Sequence, residues 1–286
     1  MHLPRPVPEL PEVETVRRGL QQRFVGRRIE RVEVGRERTV RRTSRQALID
    51  GLTGATPLSA QRRGKYLIVP LDTGDSMMIH LRMSGRVLIE PADRERLAHT
   101  HVVLDLAGPG HEQLRFIDPR TFGEVVVYDP DNTAIEMPEL DRLGVDPIAD
   151  GLERRQLADV LGSRSRQMKA LLLDQSIIAG IGNIYADEIL HRARIRHNRL
   201  SNSLKPAEIT RLHAAIGDIL AAAIEAGGST LKDTQYVDIG GEGGWFQVSH
   251  RVYDRGGQLC LTCGKARIQQ VVCGGRTTSF CPRCQR

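Results

Sequence analysis

The sequence predicts an α+β chain of more than one domain: a strand-rich N-terminal half, a helical segment, and a small cysteine module at the end. Three observations predict this. Seven short apolar-alternating runs, separated by Gly- and Asp-containing breaks, crowd into residues 29–128. From residue 138 onward the apolar spacing lengthens to that of helices. All five cysteines fall within residues 260–284.

The elements follow in chain order. Glu12, Val13, Val16 and Leu20 carry a helical period, with Pro11 suited to the first turn. Pro8 and Glu9 then stand just ahead of a basic helix, a poor place for core and a good one for chemistry. Residues 29–34, 66–71, 77–80, 86–89, 101–106, 113–117 and 124–128 read as strands. No helix is expected between them, and closely spaced strands with turn punctuation point to a sandwich or a barrel. Residues 152–161, 167–175, 184–191 and 207–226 read as helices. In the last, Ile209, Leu212, Ile216, Ile219, Leu220 and Ala223 form one stripe, with Pro206 near its start and Gly227-Gly228 after its end. Residues 233–244 are polar, Gly-rich and aperiodic, and read as a mobile loop.

The totals narrow the class. A chain of 286 residues holds two domains, or one plus a module, and buries its own core. Forty-one basic against thirty-five acidic side chains give a net charge of +6, a bias that suits a polyanionic partner. No apolar run is long enough to span a bilayer, and the first seven residues lack the apolar stretch of a secretory signal. Cysteines confined to one end argue against a disulfide framework and for a reducing compartment.

Cys260-x-x-Cys263 and Cys281-x-x-Cys284 are seventeen residues apart. Four thiolates at this spacing enclose a tetrahedral zinc ion, and with every position filled by protein the metal is structural, holding a β-hairpin. Cys273 is left over and reads as a packed or exposed thiol. Between the pairs, a pinned hairpin presents Arg276 either to a phosphate or to solvent; spacing does not decide. Gly180-Ile181-Gly182-Asn183 enters a helix, which suits a phosphate or a packing turn equally. Lys65 precedes a strand, as a solvated basic turn residue also does. Met83 and Phe122 end strands, where such residues are normally core. His99 and Arg164 read as surface residues.

The run Pro8-Glu9-Leu10-Pro11-Glu12-Val13-Glu14 closely resembles the N-terminus of the formamidopyrimidine-DNA glycosylase family, whose chains begin Met-Pro-Glu-Leu-Pro-Glu-Val-Glu. The Asn183 run, the Arg120-Thr121-Phe122 turn and the cysteine module match further motifs, so the resemblance covers nearly the whole chain. It implies an N-terminal β-sandwich with flanking helices, a C-terminal helix–two-turn–helix domain and a zinc-finger β-hairpin, flanking a basic DNA groove. It implies an enzyme of base-excision repair, a bifunctional glycosylase and lyase removing oxidised purines such as formamidopyrimidine and 8-oxoguanine. The implied catalytic residues are Pro8 as nucleophile, Glu9 as general acid, Lys65 near the lesion, and Arg276 on a phosphate during the final elimination. Met83, Arg120 and Phe122 correspond to the residues that fill the hole left by an extruded nucleotide. His99, Arg164 and Asn183 correspond to further DNA contacts. The implied partner is duplex DNA containing oxidised bases or abasic sites, the cofactor one structural zinc ion, the state a monomer, and the compartment the bacterial cytoplasm, at the nucleoid.

Expected boundaries are 1–7 for a leader, 8–137 for the catalytic sandwich, 138–232 for the helical domain, 233–248 for a lesion-recognition loop and 249–286 for the zinc finger. The sequence departs from the family pattern at Val7, where Met should stand. As written, the Pro8 nitrogen is an amide and no nucleophile. Initiation is expected at residue 7, from a GUG codon read as Met, with Met removal exposing Pro8. The rival is a true extension that abolishes covalent chemistry or must be clipped. Thr121 replaces an arginine of many relatives, which removes one phosphate contact. Leu10 argues against the endonuclease VIII branch, which acts on oxidised pyrimidines and usually reads Pro-Glu-Gly. A DNA-binding protein without catalysis is the alternative if the leader is retained.

Overall fold

The protein is described here from a computed structural model, which covers residues 8–40, 42–231 and 236–286. The expected leader, residues 1–7, and residues 232–235, which take in the start of the expected recognition loop, lie outside the described residues. The chain forms two compact units: Val7–Arg142 with Gly227–Gly244, and Leu143–Ala226 with Trp245–Arg286.

The first unit opens with α1 (Leu10–Arg23), whose Val13, Val16 and Leu20 are buried as the helical period requires. Two antiparallel four-stranded sheets follow. One has the order β1 (Ile29–Val34), β6 (Thr100–Leu106), β7 (Glu112–Ile117), β5 (Arg86–Pro91). The other runs β2 (Gln61–Arg63), β3 (Tyr66–Pro70), β4 (Ser76–His80), β8 (Glu124–Tyr128). Their inward residues, Val32, Leu104 and Phe116 from one sheet and Leu67, Ile79 and Val125 from the other, share a core with α1. The sandwich is thus the arrangement adopted, with every expected strand present. Short helices α3 (Thr133–Glu136) and α4 (Pro138–Asp141) end this segment.

Two expectations need correction. A helix does intervene among the strands: α2 (Arg45–Leu52), capped by Ser44, whose side chain accepts from the Ala47 N–H at 3.0 Å. Its eight residues bury only Leu48 and Leu52, one turn apart, too few to register as a period. Its Gly51 lies where an added Cβ would sit 3.0 Å from Val127 of β8, so the glycine permits the close packing. Residues 236–244, expected as an aperiodic mobile loop, are anchored at two points, although residues 240–242 are exposed. Tyr236 and Ile239 are buried in the sandwich core, and the Ile89 N–H on edge strand β5 donates to the Ile239 carbonyl at 3.0 Å. Ile239 also explains Gly19 in the middle of α1: a Cβ there would fall 2.1 Å from the isoleucine side chain. Two apolar residues among glycines anchor the segment, and composition hid them.

Glu14 ties α1 to the sheets. It accepts from Arg17 and Arg18 on its own helix and from Arg62 Nε on β2 at 3.1 Å, while Arg62 Nη1 donates to the Gly64 carbonyl. Burial pushes the Glu14 carboxyl up, but hydrogen bonds and charge from Arg17 and Arg62 outweigh this and hold it below the usual carboxylate range. A depressed pKa contributes stability above the unfolded value that is lost as pH falls through the folded one. Glu14→Gln is therefore expected to cost roughly 2–3 kcal/mol at pH 7, the scale of hydrogen bonds to charged groups. The difference from wild type should shrink toward zero below pH ~4, as denaturant melts across pH would read.

The second unit is helical, with α5 (Arg154–Gly162), α6 (Met168–Leu172), α7 (Asn183–Ala193) and α8 (Pro206–Glu225). Of the α8 stripe, Leu212, Ile216, Leu220 and Ala223 are buried, while Ile209 and Ile219 are half-buried. The hairpin β9 (Gln269–Cys273) and β10 (Arg276–Phe280) closes the chain. Among the described residues no helix is long and apolar enough to cross a membrane.

Candidate functional site

In the first unit the candidate chemistry gathers around the start of α1. Pro8 and Glu9 are buried, and Glu9 is the N-cap. A reciprocal capping box forms: the Glu9 side chain accepts the Glu12 N–H, and Glu12 Oε2 accepts the Glu9 N–H at 2.9 Å. The other Glu12 oxygen accepts the Ser229 N–H at 2.7 Å. Gly228, at φ +80°, makes this possible, since a Cβ there would lie 2.7 Å from the Glu12 carboxylate. Tyr236 donates to the Gly227 carbonyl at 3.0 Å; burial and then the Glu12 charge push its phenol up, so it stays a donor. Glu12 thus links the Pro8 end of the chain to the segment after Gly227. The sequence reading missed Glu12 and Tyr236, although the three-residue spacing of Glu9 and Glu12 is a capping-box signal.

Lys65 occupies the two-residue turn between β2 and β3, after Gly64 at φ +56°. It is half-buried, and the Arg62 bridge to Glu14 fastens its turn to α1. Met83 sits half-buried on the turn between β4 and β5. Arg120 and Phe122 are half-buried on the turn between β7 and β8, with the Arg120 guanidinium 5.1 Å from the Phe122 ring centre. Thr121, between them, is buried with φ +55°. His99 is exposed, with φ +67°, just ahead of β6.

In the second unit Asn183 begins α7 and its Nδ2 donates to the Thr277 carbonyl at 3.0 Å. Arg276 is the neighbouring residue, exposed at the start of β10 after the tight Gly274-Gly275 turn, both glycines having positive φ. The structure therefore brings these two expected residues together. Buried Lys169 reinforces the junction: its Nζ contacts Asp187 at 2.6 Å and the same Thr277 carbonyl at 3.1 Å. Asp187 accepts the Ser279 N–H at 2.8 Å. Burial pushes the Asp187 carboxyl up to about 7, against the pull of Lys169. Arg164 lies apart from this junction, exposed beyond α5.

Cys260, Cys263, Cys281 and Cys284 bring their sulfurs within 4.8 Å of one another, with Cys260 and Cys284 3.9 Å apart and Cys263 and Cys281 3.8 Å apart. A regular tetrahedron with metal–sulfur bonds of about 2.3 Å has edges of about 3.8 Å, so the donor set fits a bound zinc-sized ion. N–H groups of Lys265 and Ala266 lower the Cys263 thiol, while burial raises those of Cys281 and Cys284. Cys273 stands outside the cluster and donates to Gln167 Oε1 at 3.4 Å.

Comparison with known proteins agrees with this geometry. Residues 7–125 match the formamidopyrimidine-DNA glycosylase N-terminal domain, and residues 143–235 match the H2TH domain of the same glycosylases. The chain is 41% identical to a formamidopyrimidine-DNA glycosylase of Desulfitobacterium hafniense, over 98% of this chain and all of that one. The chain belongs to the formamidopyrimidine-DNA glycosylase family. A second family member, from Salinispora arenicola, is also 41% identical, over 98% of this chain and 96% of its own. Among solved structures, a Lactococcus lactis Fpg variant in complex with Fapy-dG-containing DNA superposes with a TM-score of 0.89 at 35% identity, covering 98% of this chain and 100% of that one. The complex of Lactococcus lactis Fpg with abasic-site DNA gives 0.88 at 36%, covering 97% and 99%. The family's fold is therefore this chain's fold: two sheets, a helical H2TH domain, and hairpin strands beside a four-cysteine cluster.

Proposed function

We propose that the protein is a base-excision-repair enzyme acting on duplex DNA, a bifunctional glycosylase and lyase for oxidised purines such as formamidopyrimidine and 8-oxoguanine. The observation that carries this reading is the capped α1 start, with Pro8 and Glu9 side by side and fixed through Glu12. In the proposed reaction the Pro8 secondary amine forms a bond to the anomeric carbon of an extruded nucleotide. The C–N bond to the damaged base breaks, and the departing base takes a proton, with Glu9 as the general acid that opens the sugar. The resulting iminium acidifies the adjacent sugar carbon, so β- and then δ-elimination cut the strand on both sides of the lesion. Lys65 assists near the lesion sugar. Arg276, Asn183 and Arg164 hold phosphates, His99 makes a further DNA contact, and Met83, Arg120 and Phe122 fill the vacated stack.

In domain terms, residues 8–137 hold the chemistry, 138–232 and the 249–286 zinc finger hold DNA, and 233–248 cover the extruded base. The cofactor is one zinc ion on Cys260, Cys263, Cys281 and Cys284. With four protein ligands its chemistry is to hold the hairpin that bears Arg276. Purified protein should carry one zinc per chain, and chelation should melt the hairpin and weaken DNA binding while helical circular dichroism persists. Loss of chemistry with binding intact would count against a structural metal.

The direct test is incubation with a duplex carrying one 8-oxoguanine or formamidopyrimidine. The expected products are free base and a one-nucleoside gap with phosphate at both ends. Base release with an intact strand would overturn the lyase half of the proposal. Binding without base release would overturn the glycosylase half.

A further inference from the structure

Asp118 has no role in the reaction as derived, yet three loops of the first unit converge on it. It is fully buried, between β7 and the turn that carries Arg120 and Phe122. Its Oδ2 accepts the Gly123 N–H at 2.7 Å, and its Oδ1 accepts the Arg120 N–H at 3.2 Å, so one carboxylate closes the whole turn. Oδ1 also accepts a short hydrogen bond from the Ser84 hydroxyl, and Ser84 Oγ in turn accepts from the Arg120 N–H at 3.2 Å. Ser84 follows Met83 on the turn between β4 and β5. On its backbone, Asp118 donates its N–H to the His99 carbonyl at 3.0 Å and offers its carbonyl to His101 Nε2 at 2.9 Å.

The Met83 turn has further restraints. The Arg82 N–H donates to His80 Nδ1 at 2.9 Å, and Arg82 Nη2 meets the buried Glu124 at 3.1 Å. A Cβ on Gly85 would fall 2.5 Å from the Leu81 carbonyl, so this turn admits only glycine. Each turn is thus rigid by itself. The Ser84 hydroxyl on Asp118 joins them side chain to side chain.

We infer that Asp118 and Ser84 are positioning residues that lock the Met83 turn to the turn bearing Arg120 and Phe122, making one rigid wedge of the three. The inference rests on the proposed reading that these side chains replace an extruded nucleotide. A wedge must enter the stack as a unit to offset lost stacking; side chains on independently moving turns would each lose freedom on insertion. A serine hydroxyl on a buried carboxylate is a charge-assisted bond, and here it spans two loops 34 residues apart in sequence.

Ser84→Ala tests this, because Ser84 is half-buried and the Asp118 contacts to Arg120 and Gly123 survive the change, so the fold persists. The variant should excise a fully paired lesion roughly tenfold more slowly in single turnover, the effect of one charge-assisted hydrogen bond. It should excise the same lesion from a bulge, where no stack must be refilled, within about twofold of wild type. Equal slowing on both substrates, or no slowing on either, would overturn the inference. A fluorescent adenine analogue placed beside the lesion reads wedge insertion in a stoichiometric complex without chemistry. A reduced insertion rate in Ser84→Ala supports the inference, and an unchanged rate overturns it. A wild-type chain that inserts the wedge but neither excises nor traps would overturn only the parent reading.

Discussion

A chain that begins at Pro8 is expected to form a borohydride-trapped adduct with an abasic duplex, and the same chain with any residue preceding Pro8 is not. The reason lies in the nitrogen. A terminal α-amine titrates near pH ~8, so about a tenth is neutral at pH 7, whereas a lysine near ~10.4 is neutral to well under about a hundredth. Acylation takes the lone pair into an amide and ends nucleophilicity altogether. Removing a nucleophile from a site that is otherwise intact costs rates of at least about a thousandfold. Binding should survive, because the phosphate contacts proposed for Asn183 and Arg276 lie elsewhere in the chain. Trapping yields, titration of binding and the N-terminal sequence of the active material, measured on the two forms side by side, check this. Equal trapping by both forms would move the nucleophile away from Pro8, with Lys65 the next amine to examine.

Proline at this position suits what surrounds it. The Glu9 N–H is already committed to Glu12, and Glu12 is committed to Ser229, so the first turn of α1 is fixed from both sides. A nucleophile at Pro8, as proposed, would thereby be aimed by a helix terminus and not by a flexible side chain. A lysine amine would have to lose the freedom of its whole stem to reach a comparable geometry.

The residues that announced themselves in the sequence are those whose chemistry is local. Four cysteines at fixed spacing need only two tight turns, and the folded sulfurs stand at tetrahedral distances. The strands were visible because alternation is set by one buried face, as in β1, where Val32 and Val34 lie in the core and Arg31 and Glu33 do not. What the sequence concealed depends on contacts between distant segments. Gly19 looks like a weak helix residue until Ile239, far along the chain, packs on it. Residues 236–244 look unstructured because their order comes from the core of another segment. Asp118 looks like an ordinary turn aspartate, and only the fold brings Ser84 and His99 to it. Lys169 and Asp187 likewise sat inside helical periods with no sign that they would meet in the interior.

That pair carries the largest stability effect. Asp187→Ala is expected to destabilise the second unit by about 3–5 kcal/mol at pH 8, because it removes the carboxylate that balances the Lys169 ammonium in a site where its side chain is 2% exposed. It also leaves the buried Ser279 N–H on β10 without its acceptor. The loss should be read as a lower denaturation midpoint and as faster amide exchange across β9 and β10 relative to α8. Lys169→Met combined with Asp187→Leu should recover much of the stability, since a well-packed apolar pair avoids the desolvation cost that a lone charge incurs. The double variant should nevertheless fail to restore exchange protection at Ser279, whose donor remains unpaired. If the double variant were no more stable than Asp187→Ala, the ion pair would not be the source of the loss. The strain would then have to come from the hairpin itself, through the Thr277 carbonyl that Lys169 and Asn183 both engage.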